Sequence, residues 1–106
     1  MTMIMSTADS VPGREIAQTM GYVSGSTVRA RHVGRDLLAG LKNLVGGEIG
    51  SYEKLLQESR VQALSRLEAE ATSKGADAVV ALRITTSSVA QGAAEVLAYG
   101  TAVKLS

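Results

Sequence analysis

Cysteine, phenylalanine and tryptophan are absent from this 106-residue chain, and proline and histidine occur once each. Without cysteine there is no disulfide framework, no thiolate zinc or iron–sulfur site and no cysteine nucleophile. The single imidazole, His32, excludes a multi-histidine metal site within one chain. The only aromatic side chains are Tyr22, Tyr52 and Tyr99, so a core must be built from Leu, Val, Ile, Ala and Met. An excess of one charge is also missing. Eleven Lys+Arg against ten Asp+Glu leave a formal charge of +1, whereas nucleic-acid binders carry a clear basic excess. No apolar run approaches the ~18 residues of a membrane span. The opening MTMIMSTADS lacks the basic flank and apolar length of a secretory signal. These absences lead to the expectation of a cytoplasmic protein with neither a nucleic-acid nor a membrane partner.

What is present is enough apolar material, 45% of residues, for one domain spanning 1–106. Residues 3–6 are expected as a short strand, followed by a turn at Pro12-Gly13, where Pro presets the first central position and Gly takes positive φ at the second. Residues 15–26 are rich in Ile, Thr, Tyr, Val and Gly and are expected as a strand, with Gly21 and Gly25 marking a bulge or a close approach. The period then changes. Leu37, Leu38, Leu41, Leu44 and Val45 share one helical face, Asp36 suits the first turn, and Gly46-Gly47 stops the helix. A second, longer helix is expected over 51–74, with Ser51 as N-cap and Gly75 as its stop. Strands are expected at 78–86, with Val80, Leu82 and Ile84 on one side, and at 95–105. Between them SSVAQGAA reads as a loop pivoting at Gly92. The expected class is therefore α+β: a small mixed or antiparallel sheet with two helices, one of them long. The helices lie between an N-terminal strand pair and a C-terminal hairpin.

A lone copy of such a chain looks incomplete. The second helix is about 36 Å long at 1.5 Å per residue, against a radius of gyration near 13 Å for a compact domain of this size. Strand 95–105 is apolar or small on both sides, with Leu97, Tyr99, Thr101 and Val103 on one and Ala98, Gly100 and Ala102 on the other, the pattern of a strand covered twice. Helices cover one sheet face, and a symmetric homo-oligomer is the simplest cover for the other.

Chemistry-bearing residues are few. Arg60 falls within the apolar arc of the long helix, between Leu56 and Leu64, where a guanidinium must be paired or snorkel; as a ligand site it would anchor an anion. Glu70 falls on the same arc. Glu48 sits in GGEIG ahead of that helix, but the spacing matches neither phosphate-loop fingerprint and the carboxylate opposes phosphate. Met3 and Met5 share one strand face, and thioethers suit soft ions such as Cu(I). His32 has Asp36 four residues on. Each also has a purely structural reading: ion pair, helix elbow, strand packing or capping. Nothing such as GxSxG assembles a hydrolase triad.

Taken in order, Gly21-x-Val23-x-Gly25, then Gly46-Gly47-Glu48, Tyr52 with Leu55, Arg60, Ala63, Arg66, Glu70-Ala71 and the entry GADAVV (75–80) resemble the YbjQ family. This is a family of small bacterial proteins labelled as heavy-metal-binding domains. The resemblance runs over nearly the whole chain, and its most specific element is GGE-x3-Y followed by GADAVV. It implies a dodecin-like α+β subunit in a ring-shaped homo-oligomer, a pentamer, with a metal or small ligand held at subunit contacts. On that basis Glu48, Tyr52, Arg60 and Glu70 are candidate ligand-binding residues, and Met3, Met5 and His32 candidate metal ligands. No catalytic residue is expected and any cofactor would be a metal ion. The other readings are an enzyme with an inter-subunit active site and a structural ring with no small ligand.

Overall fold

The computed structural model describes residues 3–30, 49–90 and 93–106. They form β1 (Ile4–Met5), β2 (Ile16–Ala30), helix α1 (Ile49–Ser73), β3 (Ala78–Ala90) and β4 (Ala93–Leu105). The strands make one mixed sheet in the order β1-β3-β4-β2. β1 runs parallel to β3, and β4 is antiparallel to both β3 and β2. The α+β class is as expected. α1 is the one helix among the described residues, and the helix expected around Leu37–Val45 lies outside them.

Strand pairing corrects two expectations. The N-terminal strand does not pair with β2. Ile4 stands beside Ala78 and Met5 beside Val79, which puts β1 and β2 on opposite edges of the sheet. The SSVAQGAA stretch is mostly strand: Ser87 pairs with Glu95, Ser88 with Ala94 and Ala90 with Ala93. Ser and Ala favour strands weakly on their own, but each arm of the hairpin supplies the other with a ladder, and pairing overrides propensity.

Two bulges decide which side chains face where. Gly21, at φ 96°, sits where the β2–β4 register shifts between Thr19 and Tyr22. On β3 the shift falls between Val80 and Arg83, with Ala81 at φ 53°. The extra residue breaks the expected Val80–Leu82–Ile84 face. Val80 packs with Val11, Ala78, Val103 and Leu105, while Leu82 packs against the helix-side cluster. The backbone rejoins β1 across this bulge: Ala81 N–H donates to Ala8 O (2.8 Å) and Leu82 N–H to Ser6 O (3.0 Å).

Helix α1 already includes Ile49 and Gly50, ahead of the expected Ser51 cap, and ends as expected. Ala76 N–H bonds Ala71 O (3.1 Å), Gly75 N–H bonds Thr72 O (3.0 Å), and Gly75 has φ 77°, the paired bonds of a Schellman stop. The buried line of the helix is Ser59, Ala63, Leu67 and Ala71, spaced by four and mostly small. That line seats the helix on Gly25 of β2: a Cβ there would overlap the Ala63 carbonyl and the Leu67 amide and lie 2.9 Å from the Arg66 carbonyl carbon. Arg60 is therefore not within the buried arc. It is one step of 100° past Ser59 and is exposed.

Val23, Ala63, Leu67, Ala71, Val79, Val96, Ala98 and Ala102 fill the space between helix and sheet. The expected alternation of β4 is present, Ala98 and Ala102 facing the helix and Val103 the other side. On that other side the segment from Ser6 to Arg14 covers one end of the sheet with Val11, held by a turn in which Arg14 N–H bonds Val11 O (3.1 Å). The result is long and thin. The Cα radius of gyration is 17.0 Å and the extents are 55 × 23 × 21 Å, against roughly 13 Å for a compact chain of this length.

Gly25→Ala should lower the free energy of unfolding by at least about 1–3 kcal/mol, because helix and strand must separate to admit a methyl group. Val61→Ala, at a position 62% exposed, should change it by less than about 0.5 kcal/mol. Urea unfolding followed by helical circular dichroism measures both.

Candidate functional site

The sheet face opposite α1 follows from register. Tyr22, Ser24, Ser26 and Val28 of β2 stand beside Thr101, Tyr99, Leu97 and Glu95 of β4. Those in turn stand beside Val80, Arg83, Thr85 and Ser87 of β3. Paired residues share a face, so these side chains form one surface. Its end near Val103 is covered by Val11. Farther along, Tyr22 is 69% exposed, Val28 57% and Tyr99 39%, with Leu97 half-buried. Two of the three aromatic residues of the chain thus stand in solvent on one face. Around them are hydroxyl groups (Ser24, Ser26, Thr85, Ser87, Thr101), with Arg83 and Glu95 as the charges of the register rows. The Arg83 guanidinium donates to Thr7 O (2.9 Å) and Leu82 O (2.8 Å), which ties the covering segment to β3. A flat surface of this kind, aromatic and hydroxylated with little charge, suits contact with a protein surface.

Of the residues singled out from the sequence, Met3 and Met5 are brought together, and Arg60 and Glu70 stand apart along α1. Met3 and Met5 are half-buried against the helix-side cluster. Glu70 is half-buried near the end of α1, where its carbonyl accepts from Lys74 N–H (3.2 Å) and Ser73 Oγ (2.7 Å). Arg60 is exposed, ten residues earlier and so about 15 Å away along the axis. Tyr52 belongs to the first turn of α1. Glu48 and His32 lie outside the described residues. Among the described residues no three His, Cys, Asp or Glu side chains come together as a metal cluster, and no helix is long and apolar enough to cross a membrane.

Other polar residues matter more to the architecture than those candidates. Thr27 is buried and its Oγ1 donates to Ser59 O (3.2 Å); Ser59 Oγ donates to Leu55 O (2.9 Å). Arg66 donates to Ser26 O (2.6 Å) and Lys74 Nζ to Tyr22 O (3.2 Å). Asp77 Oδ2 accepts from Leu105 N–H (2.9 Å). The sequence held a signal for the first of these. Ser59 continues the four-residue spacing of Ala63, Leu67 and Ala71, and small residues on such a line mark a close backbone approach.

This geometry defines an α+β chain with one long helix among the described residues packed on one face of a mixed sheet and an aromatic, partly open face behind it. The chain belongs to the YbjQ family, whose sequence model, described as "Putative heavy-metal-binding", matches residues 3–106. A UPF0145 protein of Archaeoglobus fulgidus is 57% identical over 103 residues, covering 97% of this chain and 95% of that one. A UPF0145 protein of Psychromonas ingrahamii is 53% identical over 103 residues, covering 97% and 98%. A crystal structure of a protein of the DUF74 family from Pediococcus pentosaceus shares the fold, with a TM-score of 0.66 at 18% identity over 98% of both chains.

Thr27→Val should cost about 1 kcal/mol by removing the donor to the Ser59 carbonyl while keeping the shape of the side chain. Ser24→Ala, on the opposite face, should be near neutral. Thermal unfolding monitored by circular dichroism distinguishes the two.

Proposed function

We propose that the chain acts as an oligomeric binding module of the cytoplasm, in which copies meet through the open sheet face and a heavy metal or small ligand is held where subunits touch. The observation that carries this reading is the exposure of Tyr22, Val28 and Tyr99 on one register-aligned face. Large apolar groups held together on a rigid sheet are costly to leave in water and are characteristic of interaction surfaces. The elongated form supports it too, since extents of 55 × 23 × 21 Å leave the far part of that face beyond the cover that Val11 provides.

A ring of five fits the chemistry of a chain so poor in ligands. Closed symmetry repeats each residue around the axis, so a single His32, a Met3–Met5 pair or a Glu48 carboxylate becomes a set of like donors. Thioether and imidazole donors suit soft and borderline ions. The anion-binding counterparts on the same reading are Arg60 and Tyr52, with a Glu70 carboxylate contributed by a different copy at a subunit contact. The family description adds the heavy metal as the ligand class.

Size-exclusion chromatography with light scattering should give a mass near five chains, and Tyr22→Ser combined with Tyr99→Ser should reduce it with the circular dichroism spectrum unchanged. A monodisperse 11.0 kDa species in the unsubstituted protein would overturn the assembly. Elemental analysis and calorimetry against divalent and soft ions should show saturable binding below millimolar concentration. Absence of any such binding would remove the metal while leaving a ring intact.

A further inference from the structure

Among the described residues β2 is an edge strand, and a vulnerable one. Between Glu15 and Arg29 it runs IAQTMGYVSGSTV without a charged residue or a proline. Edge strands of this composition invite pairing with another chain, and natural proteins protect them with charge, proline or a cover. Within the strand only the bulge at Gly21 and Arg29 near its end do so, and the stretch from Tyr22 to Val28 between them has neither. The protection comes from the helix. α1 lies along β2 with Gly25 against its backbone, and two of its cations bond backbone carbonyls of the strand: Arg66 to Ser26 O (2.6 Å) and Lys74 to Tyr22 O (3.2 Å).

The spacing is matched. Carbonyls four residues apart on a strand are about 13 Å apart, and side chains eight residues apart on a helix are about 12 Å apart. These carbonyls belong to alternate residues of one parity. In an antiparallel ladder the N–H and C=O of a residue point to the same side, so Tyr22, Ser24 and Ser26 present the outer edge of β2, away from β4. Both cationic residues are exposed. A bond from an exposed cation competes with water and immobilises a long side chain, so it adds little to stability. Its effect is to occupy the acceptors that an incoming strand needs and to set a positive charge beside each.

We propose that Arg66 and Lys74 close the outer edge of β2 against pairing with the same edge of a second copy. A stretch uncharged from Ile16 to Val28 meeting its own copy is self-complementary, and two identical edges pair isologously. The proposal concerns the edge and not the tyrosine-bearing face, so it holds whether the unsubstituted protein is a ring or a single chain.

Arg66→Ala with Lys74→Ala should raise the mass measured by light scattering at least twofold over that of the unsubstituted protein, increasingly with concentration, with a gain in the infrared signal of intermolecular strands. Adding Ser24→Pro, which removes the central outward N–H of the edge, should return the mass to its original value. Ser24→Pro alone should leave it there. Arg66→Lys with Lys74→Arg should also keep it. If the alanine pair loses helical signal, Arg66→Met with Lys74→Met retains the apolar stems and carries the same expectation. An unchanged or smaller mass, or growth that Ser24→Pro does not reverse, would overturn the proposal.

Discussion

The fold depends on one close contact, the backbone of α1 resting on Gly25 of β2. Because no side chain separates them, the helix lies low enough for Thr27 to donate to the Ser59 carbonyl and for small residues to fill the interface. A core of Val and Ala around one large side chain, Leu67, suffices only at that separation. With larger residues at Ser59 or Ala63 the helix would ride higher, and Val23, Ala98 and Ala102 would no longer reach it. The same seating brings Arg66 and Lys74 within reach of the strand edge. Core packing, buried polar bonds and edge protection thus share a single geometric origin.

The two sheet faces are unequal by construction. One is sealed by α1. The other is sealed at one end by Val11 and left aromatic beyond it. Bulges enforce this division: the residue inserted at Ala81 sends Val80 to one side and Leu82 to the other, so β3 serves both clusters. The strain of a non-glycine residue at positive φ is about 1–2 kcal/mol. It is offset where β1 and the following residues bond to the bulged backbone, through Ala8 and Ser6.

Much of this was legible in the residues. The glycine stop at Gly75, the Pro12-Gly13 turn, the bulge-or-approach roles of Gly21 and Gly25 and the two-sided alternation of β4 follow from local chemistry and are present. The family resemblance, read from GGE-x3-Y and GADAVV, is borne out by the match over residues 3–106. Long-range choices were not legible. No local feature tells that β1 pairs with β3 instead of β2, because two residues of strand carry no register information. SSVAQGAA looks like a loop because its strand character comes entirely from its partner. Arg60 falls outside the contact because the apolar arc of α1 is broader than the line that touches the sheet, which runs through Ser59, Ala63, Leu67 and Ala71 and leaves Leu56 exposed. Of the candidate ligand residues, only Met3, Met5, Arg60 and Glu70 have described side chains; Met3 and Met5 lie together against the helix-side cluster, while Arg60 and Glu70 are about 15 Å apart along α1.

The strand order carries a consequence for the order of events in synthesis. β2 takes its ladder from β4, which follows it by more than sixty positions, with α1 made in between. An emerging polypeptide must hold an unladdered strand, uncharged from Ile16 to Val28, until the final segment is translated. Contacts that span such distances form slowly, but the helix that rests on this strand is complete well before β4 exists.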